Sequence, residues 1–171
     1  MKELIARLEK LGVLQTPALI EAFSRADRKN FVPSAMAAEA YRDAPLPIGA
    51  GQTISQPYTV AFMLELLAAQ PGQRVLDIGF GSGWTTALLA DVVGEAGRVF
   101  GLEVVPELYE FGRQNLARTG YRNVELFLRS GTQGLAEHAP FDRIIAGAAA
   151  SEIPPSLLEQ LADGGRLVIP V

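Results

Sequence analysis

Cysteine is absent from the 171 residues, and histidine occurs once, at position 138. Disulfides, thiolate nucleophiles and cysteine-ligated metals are thereby excluded, and a single histidine cannot build a polyhistidine metal site. No apolar run approaches the ~20 residues that span a bilayer. Charge of one sign is lacking too: 15 Lys and Arg stand against 19 Asp and Glu, a net −4, with no block of like charges. A broad electrostatic footprint for nucleic acid is therefore not expected. The N-terminal stretch MKELIARLEK is charged from its second residue, unlike a secretory signal. The expectation is a soluble, cytoplasmic protein with no membrane or nucleic-acid partner and no metal.

What is present is ordinary globular material, about half hydrophobic and one fifth charged, and long enough for one domain. Residues 1–30 read as helical: Leu4, Ile5, Leu8 and Leu11 fall at helical spacing, and Leu19, Ile20 and Phe23 form a second stripe after Pro17. Residues 31–57 carry four prolines, at 33, 45, 47 and 57, with Gly49 and Gly51. A long regular element is not expected there, and such a stretch is usually functional or a linker. Thr59 to Ala69 reads as an apolar helix stopped by Pro71-Gly72.

From Arg74 an alternation begins. Strand-like runs fall at 74–78, 98–103, 124–129, 142–147 and 166–171, with helical patterns at 84–93, 106–119 and 155–162. Strand and helix in alternation imply right-handed crossovers and a parallel sheet. The near-continuous apolar strands suit a sheet with helices on both faces.

The first of these strands ends in Asp77 and runs into Gly79-Phe80-Gly81-Ser82-Gly83. Glycines after a strand and before a helix let backbone approach a ligand, and the helix start offers free N–H groups. A dinucleotide loop would carry glycine where Trp84 stands; a Walker loop would need a lysine, and 79–93 has none; a nucleophile elbow would put serine where Gly81 sits. An acid followed by G-x-G-x-G fits S-adenosyl-L-methionine, whose cationic amino group welcomes a carboxylate. Glu103 ends the second strand 24 residues beyond Gly79, placed to accept ribose hydroxyls. The plainer alternative is a tight strand-to-helix turn, with Glu103 merely closing a strand.

The stretch PLPIGAGQTISQPYTVAFMLELL (45–67) resembles the substrate and cofactor lid of the protein-L-isoaspartate O-methyltransferases. FVP at 31–33, YRDAPLPIG at 41–49, and the stretches 120–134, 137–161 and 164–171 resemble the same family in the same order. The resemblance implies a Rossmann-like class I methyltransferase: one domain over 1–171, with N-terminal helices and lid at 1–57 and the cofactor-binding core at 58–171. It implies methylation of the free carboxylate of L-isoaspartyl residues in damaged proteins, with S-adenosyl-L-homocysteine as coproduct; the ester then closes to a succinimide that reopens partly to aspartate. A carboxylate is already ionised at neutral pH, so no general base is needed and positioning carries catalysis. Ser55 matches the family's active-site serine, with Thr53 beside it. The implied cofactor set is Asp77, Gly79, Phe80, Gly81, Ser82, Gly83, Glu103, Val104, Ser130 and Gly131. His138 reads as a surface residue. Without the resemblance, Thr53 and Ser55 would be taken to satisfy nearby backbone in a turn-rich loop.

The sequence departs from the family pattern in places. Ser130 stands where an aspartate is usual, which implies a weaker bond to the adenine amino group, and Phe80 stands where a small residue is usual. The chain stops at Val171, inside the fifth strand, where family members continue with further strands. An apolar edge left there would invite pairing, so a homodimer through that edge is expected unless the chain is a fragment. The competing functional readings are a methyltransferase with another acceptor, and a weakly active or non-catalytic cofactor-binding relative.

Overall fold

A computed structural model describes all residues, 1–171. The N-terminal segment forms two short amphipathic helices, α1 (Lys2–Lys10) and α2 (Pro17–Arg25). Leu4, Ile5 and Leu8 of α1, and Leu19, Ala22 and Phe23 of α2, turn inward. Pro17 opens α2 at a position whose N–H needs no helical partner. Two short 3-10 helices, Arg28–Phe31 and Ser34–Glu39, then lead to an antiparallel hairpin, β1 (Leu46–Gly49) and β2 (Gln52–Ile54). No long regular element forms here, as expected; the hairpin was not foreseen, its strands being only four and three residues long, too short for a periodic signal.

The remaining elements are α3 (Pro57–Leu67), β3 (Arg74–Ile78), α4 (Trp84–Val93), β4 (Arg98–Glu103), α5 (Pro106–Thr119), β5 (Val124–Leu128), β6 (Phe141–Ala146), α6 (Pro155–Glu159) and β7 (Leu161–Val168). The expected helix over 155–162 is shorter and the last strand begins earlier. Leu161 pairs with Phe141, and Gly164-Gly165, poor helix formers, fall inside the strand beside an irregularity in its register.

Five strands make a parallel sheet in the order β5-β4-β3-β6-β7. The chain steps outward from β3 to β5, then returns to the far side of β3, so the direction of winding reverses between β3 and β6. Ligands of open α/β sheets sit beyond the carboxyl ends of the strands at such a reversal. Alternate strand residues feed two cores. Val75, Val99 and Ile145 join a large cluster with α1 to α5, running from Leu8 and Phe23 through Ile48 to Trp84 and Leu88. Leu76, Phe100, Leu102 and Ile144 join a smaller one with Leu135, Phe141 and Leu157 of α6. His138 packs against Phe100 and Phe127. β7 is the outer strand on its side of the sheet. No helix is long and apolar enough to cross a membrane.

Candidate active site

A cleft of about 260 Å³ opens at the carboxyl end of β3, beside the reversal point. The β1–β2 hairpin and its exit, the glycine loop after β3 and the end of β4 line it, with Ile145, Gly147 and Ala148 at the end of β6 and Val60 and Met63 of α3.

β3 delivers Asp77 into the interior, 2 % exposed, where the Thr86 hydroxyl donates to it at 2.6 Å. Burial pushes its carboxyl up to about 7; the Thr86 bond works against the rise and neighbouring Glu103 adds to it. No cationic side chain is paired with it. Gly79 follows with φ +78°, a conformation that favours glycine, and a Cβ there would point into open space. Its N–H is held by the Leu102 carbonyl at 2.7 Å, tying the loop to β4.

Glu103 closes β4 and is 5 % exposed. One carboxyl oxygen accepts the Gly81 N–H at 2.9 Å, and the other accepts those of Val104 and Val105 at 2.8 and 2.9 Å. The oxygen that accepts from Gly81 has capacity for a further donor; the other is filled by its two N–H groups. Val104 next to it is exposed and lines the cleft.

The hairpin contributes Thr53 from β2 and Ser55 just beyond it. Asp77, Gly79, Phe80, Gly81, Ser82, Glu103 and Val104 line the same cleft, so it brings together both proposed catalytic residues and most of the proposed cofactor set. Gly83, Ser130 and Gly131 are not in the lining. Gly83, at φ +87°, is pressed by Leu116, whose Cγ a Cβ would meet at 2.9 Å. Gly131 lies on Ile78, and the Ser130 hydroxyl is 3.0 Å from that of Thr132 on an exposed loop. Phe80 is also held by packing. It is 3 % exposed, and a Cβ on either Gly101 or Gly112 would strike its ring at 2.9 or 2.6 Å. The loop thus tolerates this large residue because two glycines face it.

Several site residues escaped the sequence reading. Gly147 follows β6 across the reversal point, and a Cβ there would come within 3.1 Å of the Gly79 carbonyl. Its position at a strand end beside the loop is a signal that strand order would have supplied. Thr86 sits in the first turn of α4, where its hydroxyl could have been matched to Asp77. Arg28 gave no sequence signal. It is fully buried, its guanidinium stacks 5.3 Å over Trp84, and it donates to the carbonyls of Ala40, Arg42, Ala44 and Ser55 at 2.8–3.1 Å. Burial lowers it to about 10, with Asp43 opposing. The cleft lining itself holds two acids and no Lys, Arg or His.

This arrangement suits a ligand with a cationic end and hydroxyls. A buried carboxyl without a cation is costly, and an ammonium group beside Asp77 would relieve that cost.

The protein-L-isoaspartate(D-aspartate) O-methyltransferase family model matches residues 1–171. A protein-L-isoaspartate O-methyltransferase of Aeropyrum pernix is 49% identical over 169 residues, covering 98% of this chain and 65% of the relative. That of Methanopyrus kandleri is 47% identical over 171 residues, covering 99% of this chain and 76% of the relative. Among solved structures, a protein-L-isoaspartate O-methyltransferase superposes with TM-score 0.91 at 32% identity, over 99% of this chain and 54% of its own. A Plasmodium falciparum relative, described as a putative enzyme of that kind in complex with S-adenosyl-L-homocysteine, gives 0.88 at 30% identity, over 99% and 83%. The chain therefore spans just under two thirds of the Aeropyrum relative and about half of the first solved structure. A match along every residue, on a parallel sheet with its cleft at the reversal point, makes this chain a member of the protein-L-isoaspartate(D-aspartate) O-methyltransferase family.

Proposed function

We propose that the protein transfers the methyl group of S-adenosyl-L-methionine to the free carboxylate of L-isoaspartyl residues in peptides and damaged proteins, as a repair activity. The observation that carries this reading is the meeting, in one cleft, of the hydroxyl-bearing hairpin and a glycine loop with an uncompensated buried acid. Asp77 would lie by the amino group of the donor, Gly79 and Gly81 against its amino-acid end, and Glu103 on its ribose.

Bound S-adenosyl-L-methionine supplies an electrophilic methyl on a sulfonium, whose sulfur keeps the bonding electrons when a carboxylate oxygen takes the methyl. No proton moves in that exchange, so the residues need only hold and orient. The Ser55 and Thr53 hydroxyls donate to the acceptor carboxylate and fix which oxygen faces the methyl. The apolar walls, Ile48, Val60 and Leu108 among them, keep water out and strengthen those bonds. Ionised acceptor, aimed hydroxyls and in-line approach are all positioning effects.

The whole chain would act as one unit, since α1, α2, the hairpin and α4 share one core. The reading also places the protein in the cytoplasm, without nucleic acid as partner, and pairs two copies through the β7 edge. Cell fractionation and native mass measure the first and last of these.

The deciding experiment is transfer of labelled methyl from S-adenosyl-L-methionine to an isoaspartyl peptide, with the matching aspartyl peptide as control. Label in the isoaspartyl peptide alone is the expected result. Label in neither would overturn the reading, and label in both would point to another acceptor.

A further inference from the structure

The cleft asks an anionic acceptor to enter beside two acids, with no cationic side chain in its lining. Arg28 is a buried cation tied to the acceptor side, its Nη2 donating to the Ser55 carbonyl at 3.0 Å. Its guanidinium does not pair with a carboxylate. It spends its donors on backbone, Nη1 on Ala40 and Arg42 and Nη2 on Ala44 and Ser55, while Nε is buried without a partner.

Leaving a buried donor unsatisfied and a cation desolvated is expensive, and an apolar residue of similar size would avoid both costs. What the arginine supplies instead is geometry. A planar fork reaches four carbonyls from two chain segments that are otherwise irregular. One segment, 40–44, leads into the hairpin; the other is Ser55 itself, as the chain leaves it. The plane of the fork is set in turn by Trp84, whose Nε1 donates to the Ala26 carbonyl at 2.9 Å. Trp84 is also the first residue of α4 and lines the cleft. Arg28 therefore joins the helix that follows the glycine loop to the backbone of Ser55.

We propose that Arg28 is a positioning residue for methyl transfer: by holding the Ser55 carbonyl it sets the Ser55 hydroxyl against the glycine loop, and so aligns acceptor with donor. The role rests on the function proposed above. Arg28 is not in the cleft lining and acts through the backbone it holds, at Ser55 and at 40–44.

The test uses Arg28→Met, Arg28→Lys and wild type, each followed by three readouts: isoaspartyl-peptide kinetics, calorimetric titration with S-adenosyl-L-homocysteine, and hydrogen–deuterium exchange over residues 52–56. Misplacement of a reacting group by an ångström costs about 100-fold, so Arg28→Met is expected to lose about that in kcat/KM, chiefly through kcat. Affinity for S-adenosyl-L-homocysteine should stay within about threefold, because Asp77 and Glu103 are untouched, while exchange at 52–56 quickens about tenfold. Arg28→Lys, keeping the charge and some donors, should recover part of the rate. Wild-type kinetics, unchanged exchange at 52–56, or a loss of S-adenosyl-L-homocysteine binding in step with kcat would each overturn the proposal. If Arg28→Met does not fold, the same readouts on Arg28→Lys decide, at smaller amplitude. If wild type itself fails to methylate the peptide, the proposed function falls, and exchange at 52–56 still shows whether Arg28 fixes Ser55.

Discussion

The side chain of Glu103 holds the backbone of Gly81 at 2.9 Å, so the end of β4 fastens the middle of the glycine loop. The same carboxyl group is the one proposed to receive the ribose. Under that proposal, loop shape and ligand recognition depend on one residue. Glu103→Gln separates the two acceptor oxygens into one acceptor and one donor. Whichever way the amide turns, its NH2 faces the N–H of Gly81 or those of Val104 and Val105. A buried donor set against a donor costs about 1–3 kcal/mol. The variant should lower the thermal midpoint and weaken S-adenosyl-L-homocysteine together, read by a melting curve and a titration. A variant that loses affinity with an unchanged melt would show that Glu103 meets only the ligand.

Asp77 sets a pH dependence whose sign can be worked out. Its carboxyl lies at about 7 in the fold against an ordinary 3.8, because it is buried. Between those values the folded chain holds a proton that the unfolded chain has released. Asp77's contribution to stability is thus complete below pH 3.8 and is lost as pH rises through about 7. In the unliganded protein Asp77→Asn should raise the thermal midpoint most at pH 8, less at pH 5, and not through this linkage below pH 3.8. Ligand binding runs the other way. An ammonium group prefers the ionised carboxylate, so S-adenosyl-L-homocysteine should bind about tenfold more weakly at pH 6 than at pH 8. Asp77→Asn should bind more weakly and flatten that profile. A flat profile in the wild type would place the ligand's cation elsewhere.

The ring of Phe80 occupies space that two glycines leave for it, Gly101 on β4 and Gly112 on α5. Emptying that space by Phe80→Ala should cost about 3–5 kcal/mol of stability. Filling it from the other side, by Gly112→Ala, brings a Cβ to 2.6 Å from the ring and 2.4 Å from the Gly81 carbonyl. Overpacking of this kind costs about 1–3 kcal/mol, and here it also displaces the loop. Chemical denaturation measures both. Gly112→Ala should in addition weaken S-adenosyl-L-homocysteine, since Gly81 must move.

The contrast between these residues shows what a sequence reveals. The strands at 74–78 and 98–103 and the helices at 84–93 and 106–119 coincide with their expected bounds, because long apolar periods and flanking glycine or proline are local signals. Asp77, the glycine loop and Glu103 were legible because they lie at the ends of those elements. Arg28 was not, since its carbonyl partners lie up to 27 residues away and irregular backbone leaves no period. Phe80 lines the cleft as expected of its place in the loop, but its packing was not legible, because the two glycines that receive it belong to other elements. The helix expected at 155–162 failed where strand pairing with β6 outweighed local propensity.

Ser130 offers a test of where the adenine of the proposed donor would lie. The Arg129 N–H donates to the Glu103 carbonyl at 2.9 Å, which sets Ser130 one residue beyond the residue paired with Glu103, the acid proposed to meet the ribose. Its hydroxyl lies against that of Thr132, is short, and does not reach the lining. An aspartate at this position would extend by one atom and bring a charged acceptor. A hydrogen bond to a charged group contributes about 1.5–3 kcal/mol against about 1 for a neutral one. Ser130→Asp should therefore tighten S-adenosyl-L-homocysteine by roughly tenfold, and Ser130→Ala should change it little, by calorimetry at fixed pH and salt. The gain should vanish with a cofactor analogue that lacks the adenine amino group. Equal affinities for all three proteins would show that this loop does not meet the adenine, and would leave Glu103 as the outermost contact on the nucleoside.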